Sequence, residues 1–396
     1  MELLAPAGNF EKFLTALHFG ADAVYLAGNR FGLRAFAGNF SDEEIVEAVK
    51  IAHKMKKKVY ITLNIIAHDK DFEGLKEYLE FLQNEAKVDA VIVADVGVLE
   101  FVKIHAPILD VHVSTQANVI NSYTAKFFAD LGVKRLILAR ELSLEEIKNI
   151  RKNLSKKVEL EVFVHGAMCM AYSGRCLLSN YLTGRDSNHG ECVQACRWKY
   201  YVREVSREDE LEVEEDEKGS YIFNSKDLNM LPYLKELQEA GVDSIKIEGR
   251  MKSSYYVATV VNAYRMALDN LPKPPSKELC EELLKASHRR YTTGFYFDET
   301  NRQFQEDSMP VQDSTFIALV TEDCDGKKVQ VEMRNKFSVG DEVEILSPDK
   351  NIFNKKIKIS KITTLDGEEI ESARKVQEKV YITCELPLKK GDILRK

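Results

Sequence analysis

Asp110–Leu154 reads DVHVSTQANVINSYTAKFFADLGVKRLILARELSLEEIKNIRKNL, and one structural unit is legible in it twice over. A short run rich in β-branched residues, Asp110–Thr115, precedes the amphipathic stretch Ser122–Leu131. A second apolar run, Arg135–Ala139, precedes Leu144–Leu154, which Ser143 and Glu146 open as a capping box. Strand and helix alternating in this way are the signature of a parallel sheet covered by helices.

The same beat extends in both directions. Candidate strands Glu2–Ala5, Asp22–Leu26, Val59–Leu63 and Ala90–Ala94 precede the stretch, and Glu159–Val164 and Asp243–Ile247 follow it, which completes eight. Phe10–Phe19 forms a helix that closes at Gly20, Ser41 and Glu44 mark a second capping box, Leu231–Ala240 precedes the eighth strand and Ser253–Asn270 follows it. Eight strands with intervening helices predict an α/β fold, a TIM-like (β/α)8 barrel over residues 1–270. An open doubly wound sheet is the alternative, but no G-x-G-x-x-G follows a strand to support it.

After the last helix, LPKPPSKE at Leu271–Glu278 breaks the pattern with three prolines and opens an expected linker, residues 271–307. From Val311 the periodicity changes to alternating strands: IALVTE, KVQVEM, DEVEILSP, KIKISKI, KVYITCEL and DILRK. Residues 308–396 are therefore expected to form a small C-terminal antiparallel β-barrel, OB-like or translation-factor-like.

With 44% hydrophobic and 30% charged residues and a formal net charge of −7, the chain reads as a soluble globular protein. No basic segment followed by an apolar one opens it, and no run of about 18 apolar residues interrupts it, so neither export nor a membrane partner is expected. The odd cysteine count, seven, fits a reducing, cytoplasmic compartment. Arg207–Lys218, REDELEVEEDEK, is expected to be a solvated hairpin tip or loop that repels nucleic acid.

Four of the cysteines crowd together as C-x6-C-x15-C-x3-C: Cys169, Cys176, Cys192 and Cys196. Four thiolates from one segment suit a metal centre, and both zinc and iron-sulfur clusters accept such a set. Zinc usually takes two tight knuckles, whereas only Cys192 and Cys196 make one here, which favours iron-sulfur. The segment is an insertion, about residues 165–241, after the seventh strand; that position places it at the C-terminal face of the barrel, where active sites of this fold lie.

Four stretches carry a resemblance: LLAPAGNFEKF at Leu3–Phe13, EVFVHGAMCMAYSGRCLLS at Glu161–Ser179, NSKDL at Asn224–Leu228, and KIEGRMKSSYYVATVVNAYR at Lys246–Arg265. Together the chain resembles the collagenase-like peptidase family, unassigned peptidase family 32, and within it the prephenate-dependent tRNA uridine hydroxylase branch. The resemblance implies a TIM-like barrel with a 4Fe-4S cluster on the four cysteines. It also implies hydroxylation without molecular oxygen, in some members at the wobble uridine of tRNA and in others on large-subunit ribosomal RNA or a quinone precursor; the expected reaction forms 5-hydroxyuridine at the tRNA wobble position with prephenate as oxygen donor, and the expected partners are tRNA, prephenate and a paralogous subunit of the same family. Two readings stand beside it: a peptidase, and a non-catalytic RNA-binding or assembly protein. No H-E-x-x-H or G-x-S-x-G supports the peptidase, and thiolates held by a cluster cannot act as nucleophiles.

In a barrel, the residues just beyond each strand face the site. The expected catalytic residues are His165, Lys226, Asp227 and Glu248. The expected substrate-binding residues are Arg34, Asn64, Gln116, Arg140, Arg175 and Arg250, the arginines because a guanidinium fork matches a carboxylate of prephenate. His165, at the end of the strand that leads into the cysteines, is a candidate proton shuttle or donor to a cluster sulfur. Lys226 and Asp227 either orient a flipped-out base or stabilise the turn before Leu228. In the C-terminal module, acidic and basic residues balance, but Lys355, Lys356, Lys358 and Lys361, and again Lys389, Lys390, Arg395 and Lys396, cluster as a candidate phosphate-binding patch. The module is thus expected to clamp RNA while the barrel closes its own core.

Overall fold

The computed structural model describes residues 1–29, 39–168, 176–185, 192–197, 215–216, 219–220, 226–297 and 311–396. Seven parallel strands follow one another around the sheet: β1 (Glu2–Pro6), β2 (Ala23–Leu26), β3 (Lys58–Leu63), β4 (Ala90–Val93), β5 (Asp110–Val113), β6 (Arg135–Ile137) and β7 (Glu159–Ala167). Two further strands follow in the chain, β8 (Asp227–Asn229) and β9 (Ser244–Ile247). β9 pairs with both β1 and β7, in parallel each time, which closes an eight-stranded barrel. The open sheet is thereby excluded.

Helices α1 (Phe10–His18), α5 (Ser122–Asp130) and α8 (Leu234–Glu239) lie where the sequence expects them, α3 (Leu75–Phe81) and α4 (Val96–His105) fill two further slots, and the helix ends are chemically fixed. Ser41 and Ser143 make reciprocal capping boxes with Glu44 and Glu146 at the starts of α2 (Asp42–Lys54) and α6 (Leu144–Lys152), each cap contributing about 1 kcal/mol. The last barrel helix, α9 (Ser254–Asp269), starts at Ser253, whose side chain accepts the N–H of Tyr256; it is buried along nearly its whole length. That burial has a cause on each side, because α9 lies between the barrel and the C-terminal module.

The proline-broken segment is more than a linker. It contains α10 (Lys277–Glu282) and β10 (Tyr291–Thr292), and β10 joins the barrel sheet in parallel with β8. β8 itself runs antiparallel to the end of β7, Asp227 opposite Ala167 and Asn229 opposite His165. β7 therefore extends past the barrel rim, and the cysteine-bearing insertion leaves its tip and returns to the sheet at Asp227. Within the acidic segment, most of Arg207–Lys218 lies outside the described residues; Glu215–Asp216 pairs antiparallel with Gly219–Ser220.

Residues 311–396 form an antiparallel half-barrel whose main sheet has eight strands, with Phe337–Ser338 and Ser372–Ala373 paired separately, around Ile317, Val331, Ile345, Ile382 and Leu394. The expected strand KIKISKI is two strands, Lys356–Lys358 and Ile362–Thr364, which pair with different neighbours. The chain turns between them where the N–H of Ile359 bonds the carbonyl of Asp341.

The expectation of an independent clamp is corrected by the interface. Leu346 and Ile393 belong to the core of the barrel, Tyr255 of α9 stacks on Phe316 at 5.6 Å, and Asn262 Nδ2 donates to the Ser347 carbonyl at 3.2 Å. Arg395 is fully buried against Glu282 of α10 and Glu344, so it is unavailable to phosphate. Lys356, Lys361, Lys389 and Lys396 pair with Glu342, Glu369, Asp323 and Asp341. Among the described residues, only Lys355, Lys358 and Lys390 of the supposed patch lack a carboxylate within ion-pair distance.

Candidate active site

Period-two alternation in the strands builds the barrel interior in layers. At the N-terminal end the layer is ionic. Arg135 of β6 donates to Glu2 Oε1 at 2.6 Å, Glu161 Oε2 at 2.8 Å and Ser244 Oγ at 3.2 Å, and Tyr60 donates to both Glu2 oxygens at 3.0 Å. His112 lies against the Tyr60 ring at 4.6 Å, and burial holds its imidazole well below the usual histidine range, with Arg135 and Lys246 adding to the effect. This plug closes the bottom of the barrel.

Above it sits a buried cation. Lys246 Nζ lies 3.6 Å from Glu161 Oε1 and over the rings of Tyr25, at 4.3 Å, and Phe163, at 5.4 Å; burial pulls its ammonium below the usual lysine value. Arg140, just beyond β6, covers the other side of the Phe163 neighbourhood, with its guanidinium carbon 3.9 Å from the ring centroid. Its Nη1 donates to the Ala167 carbonyl at 2.8 Å, and its Nη2 faces Glu248 Oε2 at 3.8 Å. Burial raises the Glu141 carboxyl, and its Oε2 is buried with no hydrogen-bond partner.

Asn64 and Gln116 meet at the mouth, where Asn64 Nδ2 donates to Gln116 Oε1. Arg250 stands at the rim above β9 and is 4% exposed; its Nη2 donates to Asn39 Oδ1, and its carbonyl accepts from Lys12 Nζ at 3.3 Å. Gly8 is required beside it, since a Cβ at that position would lie 2.1 Å from the Arg250 carbonyl oxygen. Arg34 and Arg175 lie outside the described residues.

His165 does not face the mouth as a proton carrier. It is 1% exposed inside a cage of Tyr256, Tyr264 and Tyr291, with ring centroids 6.0, 5.6 and 5.4 Å away, and its Nδ1 is 3.5 Å from the Tyr264 hydroxyl. Burial depresses its pKa to about 3 despite the opposing pull of Asp227, so it stays neutral near pH 7. The cage fixes the rim instead: Tyr256 donates to the Glu248 carbonyl at 2.9 Å and Tyr264 to the Val164 carbonyl at 2.8 Å. Gly166, at φ +100°, lets the chain pass, because a Cβ there would lie 2.5 Å from the Glu248 carbonyl oxygen.

Asp227 is 2% exposed, and its Oδ2 accepts the N–H of Arg289 at 3.0 Å. It ties the chain entering β10 to β8, which pairs with the extension of β7. Lys226 beside it is half-buried.

Of the four cysteines of the insertion, Cys169 lies outside the described residues. The other three sit on two segments that pack together: Cys176 precedes α7 (Leu178–Thr183), and Ser179 Oγ on that helix accepts the N–H of Val193, 3.2 Å away, next to Cys192. The N–H of Gln194 donates to Cys192 Sγ at 3.3 Å, held there by a left-handed backbone at φ 57°. An N–H directed at sulfur stabilises a thiolate and is a recurring feature of cluster ligands. Among the described residues, no three His, Cys, Asp or Glu side chains gather closely enough to hold an ion. The donor chemistry of Cys176, Cys192 and Cys196 suits a soft metal centre at the edge of the mouth.

Lys246 and the tyrosine cage were not foreseen. A signal existed for the first: Ser244, Lys246 and Glu248, like Tyr60, Thr62 and Asn64, are polar residues at period two within otherwise apolar strands, the mark of an inward-facing register.

A closed parallel barrel with a thiol-bearing insertion at its C-terminal mouth and a docked β half-barrel is the class of protein defined here. More particularly, the chain belongs to peptidase family U32: the family's domain matches residues 8–306 and its C-terminal domain matches residues 312–395. The "tRNA hydroxylation protein P1" of Bacillus subtilis (strain 168) is 40% identical over 403 residues, spanning 100% of this chain and 94% of the relative. The "tRNA hydroxylation protein P" of Escherichia coli (strain K12) is 39% identical over 398 residues, 89% of this chain and 87% of that protein. The "23S rRNA 5-hydroxycytidine C2501 synthase" of the same organism is 38% identical over 308 residues, 78% of this chain and 44% of that protein. No helix among the described residues is long and apolar enough to cross a membrane.

Proposed function

We propose that the protein is an RNA hydroxylase that forms 5-hydroxyuridine at the wobble position of tRNA, with prephenate as oxygen donor and a 4Fe-4S cluster on Cys169, Cys176, Cys192 and Cys196. The observation that carries the reading is the full-length similarity to a tRNA hydroxylation protein, which takes in barrel, insertion and half-barrel alike. The site supports it. Arg140 follows β6 and Arg250 follows β9, the two strands that flank β7 in the ring, and a guanidinium fork suits each carboxylate of prephenate. Lys246 beneath them adds a buried positive charge, and the ionic plug below shuts water out from the other end. When bound, the cluster supplies electron-transfer capacity beside that mouth. An unpaired anticodon nucleotide reaches such a recess at little unstacking cost.

The test is nucleoside mass spectrometry of tRNA from a deletion strain, with and without the gene restored, beside a casein-cleavage assay on the pure protein. Loss and recovery of 5-hydroxyuridine without proteolysis is the expected result. An unchanged nucleoside profile, or cleavage by the pure protein, overturns the reading.

A further inference from the structure

β4 lies between β3 and β5 in the sheet, yet Asn64, directly after β3, and Gln116, in the turn after β5, touch each other. Side chains that bridge an intervening strand meet inside the barrel mouth. Both continue inward-facing registers, Tyr60–Thr62–Asn64 and His112–Ser114–Gln116, whose lower members meet at the ring contact of Tyr60 and His112.

The hydrogen bonds fix what each amide presents. Asn64 Nδ2 donates to Gln116 Oε1, and Ser114 Oγ donates to the same oxygen at 3.3 Å while accepting the Gln116 N–H at 3.4 Å. Asn118 Nδ2 holds the Gln116 carbonyl at 3.2 Å. With Nδ2 committed, Asn64 is left with Oδ1, which is buried and receives no hydrogen bond. With Oε1 committed twice, Gln116 is left with its Nε2 donor. The mouth thus carries one acceptor beside one donor, held by a common anchor.

We propose that Asn64 and Gln116 read the imide edge of the target uracil, Oδ1 accepting from N3–H and Nε2 donating to the adjacent carbonyl. The proposal rests on the RNA hydroxylase reading and adds to it the means of choosing the base. Cytosine presents the reverse pattern, an acceptor at N3 and a donor at its exocyclic amine, so both contacts would oppose like with like. Holding the ring by this edge turns its C5–C6 side away from the pair. In an eight-stranded ring the strand opposite β4 is β9, so that side faces Glu248.

Three stem-loop RNAs that differ only in carrying uridine, N3-methyluridine or cytidine at the target position test this, by equilibrium binding and by hydroxylation. The wild-type protein is expected to bind the uridine RNA about ten-fold or more tighter than the other two, because each leaves a buried polar group unpaired. Asn64→Ala should bring the ratio of uridine to N3-methyluridine close to one, and Gln116→Glu should weaken uridine while sparing cytidine. Equal wild-type binding of uridine and N3-methyluridine, a comparison that needs no variant to fold, overturns the pair. So does an Asn64→Ala protein that binds all three more weakly with the ratios unchanged. Uracil-selective binding without any hydroxylated product would overturn the hydroxylase reading and uphold the pair; equal hydroxylation of all three RNAs would do the reverse.

Discussion

Arg395 and Glu282 form a buried ion pair between the last strand of the half-barrel and a helix on the flank of the barrel, with neither side chain exposed. Arg395 Nη2 reaches Glu282 Oε2 at 2.8 Å, Glu344 Oε1 at 2.6 Å and Asn354 Oδ1 at 2.7 Å, while Lys285 Nζ bonds Glu282 at 3.2 Å and Glu344 at 2.5 Å. The two modules are locked by charges that neither could bury alone.

Arg395→Met should therefore leave buried Glu282 with Lys285 in place of its bidentate partner. Breaking one partner of a buried pair costs about 3–5 kcal/mol, which for a chain of this length lowers the melting temperature by roughly 5 °C. Calorimetry should show one transition moving as a whole. Deleting residues 308–396 should destabilise the barrel further by baring the apolar surface around α9. A truncated barrel that melts at the full-length temperature would show the interface to be energetically idle.

Two buried histidines are expected to lower stability toward acid. His112 and His165 are held below the ordinary histidine pKa, His165 at about 3, chiefly by burial. The unfolded chain then binds more protons than the folded one below about pH 6.5, so stability rises with pH through that window and levels off above it. For His165 the contribution is about 1.4 kcal/mol per pH unit between its folded and unfolded values. His165→Phe keeps a ring within the tyrosine cage and removes the titration. Urea midpoints measured from pH 4 to 8 should show a shallower acid slope in the variant, and identical slopes would place the protonation elsewhere.

The barrel was legible because each strand is short, apolar and bounded by a capped helix, and periodicity reports such elements directly. Closure was not, since the pairing of β9 with β7 involves residues separated by the whole insertion. The site was half legible. Asn64, Gln116, Arg140, Glu248 and Arg250 follow from the rule that the residue after a barrel strand faces the mouth. His165 obeys the same rule in sequence, but a register shift between Lys246 and Ile247 on the neighbouring strand accompanies its turn into the tyrosine cage. The pairing of the basic patch was not legible for another reason: lysine clusters are visible in sequence, while the carboxylates that meet them come from neighbouring strands and turns.

Gly8→Ala is expected to disturb the Arg250 rim without touching Arg250 itself. The added methyl would meet the Arg250 carbonyl oxygen at 2.1 Å, and backbone there cannot yield as a flexible side chain could. A loss of about 1–3 kcal/mol in stability is expected from such overpacking. Arg250→Lys probes the guanidinium alone: the charge stays and the fork is lost, so hydroxylation should fall roughly ten-fold with the melting temperature preserved. A lysine variant that is unstable yet fully active once folded would make Arg250 a framework residue bound to Asn39.

Gln194 offers a probe of the metal centre that leaves every thiol in place. Its N–H donates to Cys192 Sγ from a left-handed backbone, a combination that Gln194→Pro destroys, because proline has no N–H and requires φ near −65°. If Cys169, Cys176, Cys192 and Cys196 hold a 4Fe-4S cluster, the proline variant purified anaerobically should retain less iron and acid-labile sulfide than the wild type, with the melting of the barrel little changed. Gln194→Gly keeps the donor and accepts the conformation, so its iron content should match the wild type. Alanine at Cys280, Cys324 or Cys384 should also leave iron untouched, since these thiols lie outside the insertion. One equivalent of zinc and no iron in the wild-type protein under strict anaerobiosis would replace the cluster with a zinc site.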